Sequence, residues 1–194
     1  MKIVIIKYNA GNVYSVSSAL KRLGYYATIT SDAIEIKSAD KIIFPGVGEA
    51  SSAMIFLRQT GLDKVIPCLT QPFLGVCLGL QLLCKYSEEN NTDCLGVFNQ
   101  NVKIFPPLNK VPHMGWNSIQ PNDNILFKDI PNNPHVYFVH SYFAELSTDT
   151  IAETNYILPF SAALQKDNFY AVQFHPEKSG IIGEQILKNF IELT

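Results

Sequence analysis

The chain is short of the features that would send it to a membrane, a nucleic acid or a metal. Its 194 residues contain no apolar run of membrane-spanning length. Lys and Arg number 15 against 17 Asp and Glu, a formal net charge of −2, so no nucleic-acid surface is expected. The cysteines at 68, 77, 84 and 94 lack paired C-x-x-C spacing, which argues against zinc; no metal and no cofactor are expected. No glycine-rich stretch ends in Gly-Lys-Ser/Thr, so a phosphate loop is excluded. Repeats, low-complexity segments and an obvious linker are also missing, and the length suits one domain spanning 1–194. Met1-Lys2-Ile3-Val4-Ile5-Ile6 enters a strand-like run too short for a secretory signal. A cytoplasmic protein with reduced thiols is therefore expected.

What is present centres on Gln71 to Gln81. Phe73 to Val76 reads as a short buried strand, and Leu78 to Tyr86 has the spacing of a helix with an apolar face. Cys77 sits at the join, between Gly75 and Gly79. This is the thiol form of a nucleophile elbow, a sharp strand-to-helix turn that lifts one side chain above a sheet. A side chain at either glycine would collide as the backbone folds back. The helix beginning at Leu78 points amides and its positive dipole end at Cys77, which favours the attacking thiolate.

The N-terminal half alternates strands and helices. Strands are expected at Ile3 to Ile6, Tyr26 to Thr30 and Lys41 to Phe44. After the loop Tyr8 to Gly11, Asn12 is the expected N-cap of a helix to about Leu23. Shorter helices are expected at Ala33 to Lys37, Glu49 to Arg58 and Leu62 to Leu69. That alternation predicts an α/β fold with a parallel sheet and helices on both faces. Beyond Glu88, proline-punctuated strands at Val102 to Phe105, Trp116 to Ile119, His135 to Val139, Ala162 to Gln165 and Tyr170 to Phe174 predict mixed or antiparallel sheet. Ile181 to Leu193 closes the chain as an amphipathic helix.

A cysteine nucleophile needs a base, and the base needs an orienting partner. Of His113, His135, His140 and His175, only His175 has an acid suitably placed, in Gln173-Phe174-His175-Pro176-Glu177. Pro176 pushes His175 toward an extended conformation, where residues two apart share a side, so His175 and Glu177 should be neighbours. His113 and His140 read as structural or near a partner surface, and His135 as an exposed loop residue. An oxyanion hole requires backbone donors: the Leu78 amide is one, and Pro45-Gly46-Val47-Gly48 offers a turn for a second. The bland alternative for that stretch is an ordinary glycine turn.

Gly75-Val76-Cys77-Leu78-Gly79 together with His175-Pro176-Glu177 resembles the class I (triad) glutamine amidotransferases. Pro45 to Gly48, Val111-Pro112-His113-Met114-Gly115-Trp116-Asn117 and Tyr137-Phe138-Val139-His140-Ser141-Tyr142 narrow the resemblance to glutaminase subunits of the histidine pathway. The resemblance implies a flavodoxin-like fold, a mixed sheet flanked by helices. It implies that Cys77 attacks glutamine, that His175 and Glu177 complete a triad, and that Val47 and Leu78 supply oxyanion amides. Gly48, Gln81, Ser141 and Tyr142 match positions that hold glutamine. Asn12, Trp116, Tyr137 and Lys178 match positions facing a (β/α)8-barrel cyclase subunit of an imidazole glycerol phosphate synthase, with which a heterodimer is implied. Trp116 is the only tryptophan, and core packing is its competing role. Rival readings are the glutaminase subunit of another synthase, a non-catalytic subunit on the same scaffold, and a hydrolase of another amide or thioester.

Overall fold

A computed structural model describes residues 1–9 and 12–193. Ala10 and Gly11 of the expected first loop lie outside the described residues. In chain order the elements are β1 Ile3–Ile6, α1 Val13–Arg22, β2 Ala27–Thr30, α2 Ala33–Lys37, β3 Lys41–Gly46, α3 Ala50–Thr60, α4 Leu62–Val65, β4 Phe73–Cys77 and α5 Leu78–Leu83. There follow β5 Tyr86–Ser87, β6 Thr92–Asp93, β7 Asn101–Ile104, β8 His113–Ser118, β9 Gln120–Pro121, β10 His135–His140, β11 Tyr142–Ala144, β12 Thr150–Tyr156, β13 Leu158–Lys166, β14 Phe169–Val172 and α6 Gly180–Ile191.

Eight strands form the main sheet in the order β2-β1-β3-β4-β14-β13-β12-β9. From β2 to β14 the neighbours run parallel; from β14 to β9 they run antiparallel. The sheet is thus mixed, as the change of character after Glu88 suggests. Alternate residues of its parallel strands face opposite cores. Ile3, Ile5, Ile43 and Leu74 meet Val16 and Leu20 of α1 and Ile186 and Phe190 of α6. Val4, Ile6, Ile42 and Phe44 meet Met54 and Leu57 of α3 and Leu80 of α5. Period-2 strands between period-3.6 helices give this layering directly. Two smaller sheets, β10-β8 and β11-β7-β5-β6, complete the strands.

Several expected boundaries move. Helix α5 stops at Leu83 rather than Tyr86, because Cys84 turns extended at φ −68° and ψ 175° and Tyr86 enters β5. Helix α4 is one turn, continued by a 3₁₀ turn over Ile66–Cys68. Asn12 occupies the N-cap position of α1 but makes no capping bond. His135 opens β10 instead of lying in a loop, although it is exposed. Strand β8 begins at His113 and ends before Ile119. In α6, Ile181 faces outward at 85% exposure, off the apolar stripe.

Candidate active site

The elbow is built by close packing. Cys77 ends β4 at φ 55° and ψ −107°, a left-handed backbone that costs a non-glycine residue free energy. A Cβ on Gly79 would overlap the Phe44 carbonyl oxygen, and one on Gly75 would lie 2.8 Å from Leu83 Cδ1. Only glycines let α5 fold back this tightly over β3 and β4. Leu78 is the first residue of α5, so its amide is among those a helix start leaves without an intrahelical acceptor. Register places Gly46, the end of β3, opposite Cys77 and brings the Val47 segment alongside.

His175 follows β14, the strand beside β4, and its amide donates to the Tyr137 carbonyl at 2.9 Å. His175 is extended, as Pro176 requires, at φ −100° and ψ 96°. Glu177 reaches it through a 3₁₀ turn over Pro176–Lys178, closed by Lys178 N–H to His175 O at 3.0 Å, rather than by strand alternation. Nδ1 of His175 lies 2.8 Å from Glu177 Oε1, both side chains being 1% exposed. A carboxylate accepts, so Nδ1 carries the hydrogen and Nε2 is left for the thiol side. Nε2 is buried without a hydrogen bond among the described residues. Burial disfavours the imidazolium, but the nearby Cys77 sulfur and the Glu177 carboxylate outweigh it and lift the His175 pKa to about 10.

Beside Cys77 opens a cavity of about 380 Å³. Val47, Gly48, Leu78, Gln81, Ser141 and Tyr142 all line it with Cys77, so the residues expected at the oxyanion and at the substrate converge. Gln81 Nε2 donates to the Tyr142 carbonyl at 2.9 Å and to Gln173 Oε1 at 3.1 Å. Both amide hydrogens are then used, and Gln81 has only its oxygen left to offer. Glu89 also lines the cavity, and sequence reasoning missed it. Its Oε2 accepts from Ala50 N–H at 2.7 Å. Burial pushes its pKa up against that bond, with Glu49 adding to the rise. Gln173 is a second missed residue: it is fully buried and its Nε2 lies 3.7 Å from Cys77 Sγ.

Two of the remaining histidines pair with each other. His113 Nδ1 and His140 Nε2 lie 3.0 Å apart, and His140 Nδ1 donates to the Tyr142 carbonyl at 2.8 Å. Burial lowers both, His113 to about 4 and His140 to about 3, so each is neutral.

The four residues expected at a partner surface divide. Trp116 is 57% exposed and edge-on to Tyr137, its cross-strand partner, at 6.1 Å between centroids. Trp116 therefore lies outside the core. Lys178 Nζ stands 5.9 Å from the Tyr137 ring centroid, and exposed Met114 shares the outward face of β8. Asn12 instead turns its amide to Glu177 Oε1 at 3.3 Å. All four cysteines are free, with Cys68 exposed and Cys84 buried.

The glutamine amidotransferase class-I family matches residues 4–193. Imidazole glycerol phosphate synthase subunit HisH of Bacteroides fragilis strain YCH46 is 60% identical over 100% of both chains. The subunit of the same name from Escherichia coli K12 is 46% identical over 100% of both. Among solved structures, a glutamine amidotransferase superposes with a TM-score of 0.76 at 19% identity, covering 97% of each chain. Another, from Thermotoga maritima, gives 0.66 at 17% identity over 99% of this chain and 81% of its own.

Proposed function

The chain belongs to the class-I glutamine amidotransferase family, and from that premise we propose that Cys77, His175 and Glu177 hydrolyse glutamine to glutamate and ammonia. It is the glutaminase subunit of an imidazole glycerol phosphate synthase, in histidine biosynthesis. The observation that carries the site is Cys77 on a strained elbow, facing a 380 Å³ cavity, with the His175–Glu177 pair buried behind it.

Glutamine enters with its side-chain amide toward Cys77. Glu89, the acid of the cavity wall, suits the substrate's ammonium, while Gln81 Oε1, Ser141 and Tyr142 supply further polar contacts. The Cys77 thiolate adds to the amide carbon, and the oxyanion is held by the Leu78 and Val47 amides. His175, already protonated, gives its proton to nitrogen as the C–N bond breaks, and ammonia leaves. The thioester remains. Neutral His175 then takes a proton from water, which attacks the carbonyl; the C–S bond breaks and glutamate departs. Glu177 holds Nδ1–H throughout, fixing the tautomer.

Ammonia is consumed by a partner, since ammonium at neutral pH is a poor nucleophile. We assign that role to a (β/α)8-barrel cyclase subunit, which forms imidazole glycerol phosphate and AICAR. The exposed Met114, Trp116, Tyr137 and Lys178 patch suits docking, because aromatic side chains are favoured at interface hot spots. The test is glutamate release by this chain alone, then with the cyclase subunit and its nucleotide ligand, beside Cys77→Ala. Stimulation that vanishes in the control supports the reading. No release in any arm from folded protein overturns it.

A further inference from the structure

The Gln-x-His segment carries a second group to the sulfur. Gln173 and His175 lie two apart in the bend that follows β14, and Phe174 is buried in the core between them. Gln173 donates its main-chain N–H to the Ala162 carbonyl at 2.8 Å, which anchors it to β13. Its side chain is fully buried and lies against Cys77 Sγ at 3.7 Å.

The orientation of that carboxamide is fixed by a backbone group. The Tyr142 carbonyl can only accept, so the Gln81 atom 2.9 Å away is nitrogen. The same nitrogen lies 3.1 Å from Gln173, so the Gln173 atom it meets is oxygen. The other end of Gln173, at the sulfur, is then an N–H donor. A chain of donors runs from Gln81 through Gln173 to Cys77, and it starts on the cavity wall.

We propose that Gln173 is a catalytic residue, whose carboxamide N–H stabilises the Cys77 thiolate and holds the sulfur in place through Gln81 and the Tyr142 carbonyl. A donor at an anion favours the charged form. The sulfur is anionic twice in the cycle. It is a thiolate before attack, and it receives the C–S electron pair when water releases glutamate from the thioester. Gln173 therefore assists at both ends, leaving His175 free to move the proton.

The role rests on the glutaminase reading for its substrate, but its first test does not. Full-length protein is alkylated with iodoacetamide at pH 7, where sulfur displaces iodide, and each cysteine is followed by peptide mass spectrometry. Exposed Cys68 is the internal reference, and buried Cys84 reports loss of fold. Gln173→Met, which removes the donor, should slow Cys77 labelling about tenfold with Cys68 unchanged. Gln173→Glu keeps the shape but turns an oxygen to the sulfur, and should slow it further. Unchanged Cys77 labelling in both variants overturns the proposal. If Cys84 becomes reactive in the Met variant, the Glu variant decides; exposure of Cys84 in both makes Gln173 a structural residue and also overturns it. With glutamine and the cyclase subunit, kcat should fall in both variants with KM within about twofold. A wild type that labels rapidly at Cys77 but releases no glutamate defeats the glutaminase reading and leaves the role of Gln173 standing.

Discussion

Asn12 donates to Glu177 at 3.3 Å, on the same carboxylate oxygen that His175 Nδ1 meets at 2.8 Å. The start of α1 is thereby tied to the acid of the proposed triad, 165 positions away in the chain. Removing that donor with Asn12→Ala should weaken the hold on Glu177 and lower glutamate release about fivefold, the equivalent of about 1 kcal/mol. Asn12→Asp should do more harm, because it sets a second carboxylate against Glu177. Steady-state kinetics with cyclase present would check both, and an Asp variant as active as wild type would refute the link.

The elbow stores strain at Cys77 itself. Cys77→Gly removes the side chain that makes φ 55° costly, so the variant should be inactive yet more stable by about 1 kcal/mol. Denaturant melts of the two proteins would read this, and a lower stability would show that the elbow carries no strain.

Gly79 is constrained by space. A Cβ there would overlap the Phe44 carbonyl oxygen, a backbone atom that cannot swing aside. Gly79→Ala should cost about 3 kcal/mol and push α5 away from β3. A melting temperature equal to wild type would contradict the packing described.

Stability should peak near neutral pH, with His113 and His140 setting the acid slope and His175 contributing to the alkaline one beside the thiols of Cys84 and Cys94, which burial pushes up. His175 is raised in the fold from 6.5 to about 10. Its contribution is fully present below 6.5 and is lost as pH climbs toward 10. His113 and His140 are lowered to about 4 and about 3, so the unfolded chain binds protons they refuse, and stability falls as pH drops below 6.5. Glu177→Gln, which removes one of the two groups that raise His175, should make the alkaline slope shallower and leave the acid one. Urea titrations from pH 4 to 10 would show it, and an unaltered alkaline slope would count against the pair.

Much of this was legible in the residues. The strand at Ile3 to Ile6 and the helix at Ala33 to Lys37 stand at their expected bounds, because unbroken apolar runs and a well-placed N-cap leave little choice. The meeting of His175 with Glu177 was expected for a partly wrong reason, since the chain turns after Pro176. Strand β12 was not expected: only Ile151, Ala152 and Thr154 are buried along it, and its pairing to β13 is long-range. Glu89 gave no sign, being one acid in a polar stretch whose approach to the cavity depends on the fold around it. Gln173 was hidden similarly. An amide has no sequence signature as a donor to sulfur until its partner Gln81 is in place.

Strand β14 has a consequence for the order in which the molecule is made. It is the last strand to be synthesised, yet it lies mid-sheet between β4 and β13. Until it emerges, the parallel half ends at an open β4 and the antiparallel half at an open β13. Chains grow from the N-terminus at roughly 5–20 residues per second, so Cys77 is on its strand seconds before His175 exists. Insertion of β14 joins the halves and delivers Gln173, His175 and Glu177 together. On the proposed roles of these residues a growing chain releases no ammonia early, because the strand that completes the sheet also completes the site.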